Sequence, residues 1–202
     1  SEHFSIFQFL NNNSKLQPKK IILTASGGPF LGNKYSALNN ISFKQAATHP
    51  KWKMGYKNSI DSATLVNKCL ELVEAHYLFK IPFKNLDILI HPESQIHSIF
   101  EYENYIYKMI SFYNDMKIPI YHFLNQRYNY NLKVNHFSLK KNTKYSFMDA
   151  KRSEFPIYYF FKKMDKKDPS NLIKFNIANE YAVNLFKNNL IKYTDIFKII
   201  VK

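Results

Sequence analysis

Cysteine is almost missing: Cys69 is the single one in 202 residues. That excludes an intrachain disulfide and any multi-cysteine metal centre, and it points to a reducing compartment. Glycine is nearly as scarce, with four in the chain, yet Gly27, Gly28 and Gly32 fall within six positions of one another. No Gly-x-Gly-x-x-Gly, no Gly-Lys-Ser/Thr P-loop and no Gly-x-Ser-x-Gly elbow occurs, so the chain shows no dinucleotide fingerprint and no hydrolase nucleophile turn. No apolar run approaches the ~18 residues of a membrane-spanning helix, and no signal-peptide pattern opens the sequence. Arginine is reduced to Arg127 and Arg152 although the net charge is +14. The basicity is lysine's, alongside Asn, Ile, Phe and Tyr, whose codons share AT-richness. Specific phosphate and base readout usually demands arginine's bidentate fork, so neither nucleic acid nor membrane is the expected partner. A lysine field still attracts small anionic substrates.

What is present fits a globular chain, 46% hydrophobic, with enough length for a real core. The expectation is one α/β domain over residues 1–202, a mixed sheet packed with helices, with no internal repeat and no linker. Lys19–Ala25 reads as a strand that must stop at Ser26-Gly27-Gly28-Pro29. The glycine cluster there signals either close approach of a ligand to the backbone or an ordinary turn. Ser42 can cap a short helix through Thr48. Leu86–His91 and Tyr105–Tyr113 read as strands, and Met116–Leu124 as a helix. Asn11–Ser14 and most of Tyr128–Lys151 read as loop, with a short strand near Tyr145–Met148. Asn176–Lys187 and Thr194–Val201 read as closing helices. Residues 2–10 carry both helix and strand character.

The chain is organised around Asp61–Glu74. Asp61 and Ser62 are expected as N-cap residues, and Val66, Cys69, Leu70, Val73 and Tyr77 as a core-facing stripe. Asn67, Glu71 and Glu74 fall on another face with Lys68 at its edge. A hydroxyl, an amide, an ammonium and a carboxylate in one neighbourhood suit a phosphorylated, metal-bound ligand. The same residues also describe a solvated face with a Lys–Glu pair.

Elsewhere, His91-Pro92-Glu93 resembles the His-x-Glu of zinc deaminases, but their cysteine pair is absent. His91, Glu93 and His97 remain either a small metal cluster or structural histidines. Trp52, the one tryptophan, lies in His49-Pro50-Lys51-Trp52-Lys53-Met54-Gly55, either as part of a closing loop or as its anchor.

Taken in order, Ser1-Glu2-His3, Ser26-Gly27-Gly28-Pro29-Phe30, His49-Pro50-x-Trp52-x-Met54-Gly55, Asp61-Ser62-Ala63-Thr64-x-x-Asn67-Lys68-x-x-Glu71, Ile90-His91-Pro92-x-Ser94-x-Ile96-His97-Ser98, Asp115-Met116-x-x-Pro119-Ile120 and Asn176-x-Ala178-Asn179-Glu180 resemble 1-deoxy-D-xylulose 5-phosphate reductoisomerases. The resemblance runs from Ser1 to about Val201 and covers the family's central catalytic domain and the connection after it. The last ~25 residues are expected to lead into the C-terminal helical region. The family's N-terminal NADPH domain and C-terminal helical bundle are not in this stretch, so the fragment alone is expected to be inactive.

The resemblance implies metal-assisted isomerisation and NADPH-dependent reduction of 1-deoxy-D-xylulose 5-phosphate to 2-C-methyl-D-erythritol 4-phosphate, in non-mevalonate isoprenoid synthesis. Glu2 and Glu71 match two of three carboxylates for Mn²⁺ or Mg²⁺; the third is an Asp just before Ser1. Lys68 joins them as a catalytic group. Ser1, Glu2, Ser26, His49, Ser62, Asn67, Lys68 and Glu71 match substrate contacts. His49, Trp52 and Met54 match a lid, and Met54 and Gly55 match positions near NADPH. A homodimer and a bacterial cytoplasmic or plastid-type location follow by the same resemblance. Phe112-Tyr113-Asn114, Tyr56 and Cys69 depart from the family pattern. Two rivals remain: a degenerate relative that binds a phosphorylated ligand without catalysis, and a lysine-rich RNA-binding module.

Overall fold

The β-branched and leucine-rich run Ile21-Ile22-Leu23-Thr24 can satisfy its backbone while buried on both faces only at the centre of a sheet. In the computed structural model, which describes residues 1–12, 17–49, 55–124 and 144–202, that is where it lies. Strand β1 (Lys20–Ala25) is buried along nearly its whole length. It pairs in parallel with β2 (Leu86–Ile90) and antiparallel with β3 (Ile96–Glu101), which pairs antiparallel with β4 (Tyr107–Ser111), giving the order β2-β1-β3-β4. Ala25 stands opposite Ile90 on one side, and Leu23 opposite Ser98 on the other. The carboxyl ends of β1 and β2 and the amino end of β3 therefore share one edge of the sheet.

Among the described residues eight helices dress it: α1 (Glu2–Asn12), α2 (Phe43–Ala46), α3 (Tyr56–Thr64), α4 (Val66–Phe79), α5 (Lys117–Leu124), α6 (Pro156–Lys163), α7 (Pro169–Lys187) and α8 (Asp195–Ile200). Helix α4 buries Val66, Cys69, Leu72 and Ala75. The expected stripe was right in its first half only: Leu70 and Val73 are partly covered, and Tyr77 is 55% exposed. Helix α1 presents Ile6 and Phe9, and Phe9 stacks on Phe100 of β3 with ring centroids 3.7 Å apart. Each fully buried aliphatic or aromatic side chain of this kind contributes about 1.5–3 kcal/mol. One core cluster runs from Ile6 to Ile200 and takes in the sheet, α4 and α6 to α8.

Several expectations change. The single helix from Asp61 is two helices, broken at Leu65, which adopts φ +62°. Asp61 and Ser62 therefore cap nothing and belong to the last turns of α3, whose N-cap is Gly55. The short helix capped by Ser42 forms, with a capping box between Ser42 and Gln45, but ends at Ala46 and does not reach Thr48. Residues 2–10 are helical, and α1 continues through Asn12, into what reads as loop. Strand β3 and helix α6 were not foreseen, and α7 begins at Pro169, well before Asn176. The stretch near Tyr145–Met148 makes one bridge, Ile90 to Met148. Trp52, Met54 and most of the polar stretch after Leu124 lie outside the described residues. No helix among the described residues is long and apolar enough to cross a membrane.

Candidate active site

At the shared edge of the sheet a cavity of about 250 Å³ opens, lined by side chains from the end of β1, the starts of α1, α4 and β3, and the end of α3. It brings together all eight expected substrate contacts: Ser1, Glu2, Ser26, His49, Ser62, Asn67, Lys68 and Glu71. The lining also includes Asn58, Ser94, His97 and Met116. Gly55 is not among the lining residues; it is the N-cap of α3.

The break at Leu65 makes this arrangement possible. By ending α3 and restarting the chain as α4, it turns the first turn of α4, with Asn67 and Lys68, toward the cavity. Orphan N–H groups and the positive end of the helix dipole favour an anion there. Leucine pays about 1–2 kcal/mol for the left-handed conformation, offset by its own near-complete burial.

Gly28 explains the glycine cluster differently from a ligand cradle. It sits at φ +69°, and a Cβ on it would stand 2.7 Å from Ala63 Cα and 3.1 Å from Ser62 O. The close approach is between two backbone segments, the β1 turn and α3, whose Ser26 and Ser62 both line the cavity. Ser26 Oγ accepts from Gly28 N–H at 3.2 Å and contacts His49 Nε2 at 3.0 Å. Burial, and then the charge of Lys68, lower the His49 pKa.

The other end of the cavity is carboxylate-rich. Glu2 lies in the first turn of α1, held there because Ser5 donates to Glu2 O at 2.6 Å and meets Ser98 of β3, also at 2.6 Å. His3 Nε2 contacts Glu71 O at 3.0 Å, which ties α1 to α4. Lys68 Nζ donates to Glu2 Oε1 at 2.6 Å and lies 2.9 Å from Glu71 Oε2. Asn67 Nδ2 donates to Glu71 Oε1 at 2.5 Å. Lys68 is 7% exposed, so this is no solvated helix face.

Burial acts to raise the Glu2 pKa, but the Lys68 ammonium and its hydrogen bond hold it far below the usual carboxylate range. Burial and the neighbouring Glu2 charge push Glu71 upward. Burial would lower Lys68, but the two carboxylates keep it firmly protonated.

Two converging carboxylates suit a hard dication. Glu71 Oε2 is buried and, among the described residues, has no aligned hydrogen-bond donor beyond its ion-pair contact with Lys68. A buried carboxylate oxygen held by an ammonium is also suited to a metal cation. Among the described residues no group of three or more His, Cys, Asp or Glu is placed to hold a metal, so Glu2 and Glu71 offer part of a coordination sphere.

His91, Glu93 and His97 do not form one either. His91 Nε2 accepts from Gln95 N–H at 3.2 Å and its Nδ1 meets Ser146 O at 2.9 Å, with Glu93 alongside at 3.1 Å. His97 instead donates from Nε2 to Phe112 O at 3.1 Å and stacks on the Phe112 ring. His91 is structural, whereas His97 reaches the cavity wall.

With this geometry in hand, comparison with known proteins is decisive. A family model of the 1-deoxy-D-xylulose 5-phosphate reductoisomerase C-terminal domain matches residues 1–79, and a second, of the DXP reductoisomerase C-terminal domain, matches residues 113–202. The chain belongs to this reductoisomerase family. Curated reductoisomerases from Sulfurihydrogenibium sp. and Clostridium tetani are 42% and 44% identical over 100% and 99% of the chain, and the aligned region is 54% and 52% of their own length. The chain thus spans about half the length of the curated relatives it matches.

Solved reductoisomerase structures agree in fold. One in complex with NADPH, fosmidomycin and magnesium is 34% identical with a TM-score of 0.90, over 100% of this chain and 52% of the other. The Zymomonas mobilis enzyme in complex with NADPH is 34% identical with a TM-score of 0.85, over the same shares.

Proposed function

We propose that the protein containing this chain converts 1-deoxy-D-xylulose 5-phosphate to 2-C-methyl-D-erythritol 4-phosphate, using NADPH and Mg²⁺ or Mn²⁺. Residues 1–202 form its metal- and substrate-binding unit, leading at the C-terminus into further helical structure. The observation that carries this reading is one cavity lined both by the buried Glu2–Lys68–Glu71 cluster, which Asn67 joins through Glu71, and by the hydroxyls of Ser26 and Ser62. A phosphorylated sugar that chelates a metal at its reacting end needs those two environments a few ångströms apart.

Glu2 and Glu71 would hold the metal, which when bound polarises the substrate's carbonyl and hydroxyl oxygens. Ser26, Ser62 and Asn67 hold the phosphate with hydroxyl, amide and helix-start N–H groups. His49, kept neutral by burial and by Lys68, presents a donor without adding charge. Ser1 contacts substrate beside Glu2, to which its hydroxyl already donates at 2.6 Å. Trp52 and Met54 close over the ligand, Met54 and Gly55 approach NADPH, and the working unit is a homodimer; the family assignment supports these last roles.

The test is binding of fosmidomycin, the molecule seated with magnesium in the structural neighbour, to the intact gene product by calorimetry. Binding should require Mg²⁺ and weaken about tenfold in Ser62→Ala, the worth of one hydrogen bond to a charged group. Binding indifferent to both would remove the reading. Binding of fosmidomycin without turnover would favour the non-catalytic relative.

A further inference from the structure

Taking Glu2 and Glu71 as metal ligands leaves one contact unexplained, because the Lys68 ammonium already sits between them. Nζ lies 2.6 Å from Glu2 Oε1 and 2.9 Å from Glu71 Oε2. All three side chains are well covered, at 9%, 16% and 14% exposure for Lys68, Glu2 and Glu71. Two carboxylates brought this close out of water need a cation to hold them. We propose that Lys68 is the resident counter-ion of the metal-free carboxylate pair, and that a divalent cation displaces its ammonium toward the phosphate end of the cavity. The inference rests on the metal reading given under Proposed function.

Geometry and charge repulsion both favour the displacement. A metal takes carboxylate oxygens at about 2.0–2.2 Å. An ammonium kept at hydrogen-bond distance from the same oxygens would then stand within about 4 Å of a dication, where their repulsion is strong.

The side chain has somewhere to go. Lys68 lines the cavity, as do its helix neighbour Asn67 and, from other elements, Ser26, His49 and Ser62. Its four-carbon stem pivots from the first turn of α4, near the positive end of that helix's dipole. The displaced ammonium would add a positive charge where the phosphate is expected, so loading the metal prepares the opposite end of the site. By linkage, cation and phosphate-bearing ligand then strengthen one another's binding.

The experiment uses the full-length protein and Mn²⁺ alone, with the free ion followed by its electron paramagnetic resonance signal. Lys68→Met keeps the stem and removes the competing charge. It should bind Mn²⁺ about tenfold more tightly than wild type. Equal or weaker binding by Lys68→Met, with wild type still binding, overturns the counter-ion role and leaves the metal reading standing. Failure of the wild type to bind Mn²⁺ overturns both.

A second measurement needs no substitution. Amine-reactive labelling of Lys68, read by mass spectrometry, should rise severalfold when Mg²⁺ is added, because the ammonium leaves its carboxylate cage for the open cavity. Labelling that stays constant or falls contradicts the displacement.

Discussion

Asn179 of α7 donates from Nδ2 to Oδ1 of Asp61 in α3 at 2.9 Å, across 118 positions of sequence and with both side chains buried. Lys57 donates to the other oxygen of the same carboxylate at 2.7 Å. Burial raises the Asp61 pKa, and these two donors work against that rise. The pair therefore fastens α7 beneath the turn that carries Ser62. Asn179→Leu strips a buried acceptor of its donor and should cost about 1–3 kcal/mol in urea unfolding. Asn179→Asp sets a second carboxylate against Asp61, so its penalty should be larger at pH 7 than near about pH 4, where carboxyls protonate. A stable Asn179→Leu would mean the contact is idle.

Gly28→Ala should be damaging out of proportion to one methyl group. The added carbon meets Ala63 Cα at 2.7 Å and the residue sits at φ +69°. Strain and overpacking together predict a loss of about 2–4 kcal/mol. Because α3 must move away, Ser62 moves with it, and affinity for a phosphorylated ligand should fall alongside the melting temperature. An unshifted melt would show that the β1 turn has slack the geometry does not suggest.

Much of this was legible in the residues. The run at β1 ends where Ser26-Gly27-Gly28-Pro29 says it must, and the Asn67, Lys68 and Glu71 cluster follows from helical spacing. What escaped notice has physical causes. β3 is buried on both faces, so its Ile-His-Ser-Ile-Phe-Glu shows no alternation; His97 and Ser98 are tolerated inside only because Phe112 O and Ser5 satisfy them. The Leu65 break carries no glycine or proline, and packing alone holds a leucine at positive φ. Helix α6 opens with proline at its first turn, a usable start signal masked by an aromatic run that suits strands equally well. Asn58 of the cavity lies in none of the motifs, since tertiary folding alone brings it in, whereas Ser94 is in a quoted motif but had no role assigned.

The acid side of the stability curve should report Asp87. Burial acts to raise its pKa, but the Tyr158 hydroxyl at 2.8 Å, Ile88 N–H and Lys20 at 3.1 Å hold it below the ordinary value. A depressed carboxyl stabilises the fold above its unfolded pKa and loses that contribution as pH falls through the folded value. Asp87→Asn should thus be less stable by about 1–3 kcal/mol at pH 7, with the gap closing below about pH 4. A gap that is constant with pH would reject the assignment.

Lys80 closes α4 in the left-handed region at φ +56° and is exposed. Glycine adopts that conformation without a Cβ penalty. Lys80→Gly should raise stability by about 0.5–1 kcal/mol with no change in ligand binding. A drop in the unfolding midpoint would point to a contact made by the lysine itself.

The most direct test of the whole account is NADPH oxidation by the intact gene product supplied with 1-deoxy-D-xylulose 5-phosphate and Mn²⁺, with Glu71→Gln run beside it. Glu71 stands at the centre of the carboxylate end, in contact with Asn67 and Lys68. The account predicts turnover that disappears on chelation and falls by about 10²-fold or more in Glu71→Gln. Turnover that survives both chelation and the substitution would contradict it.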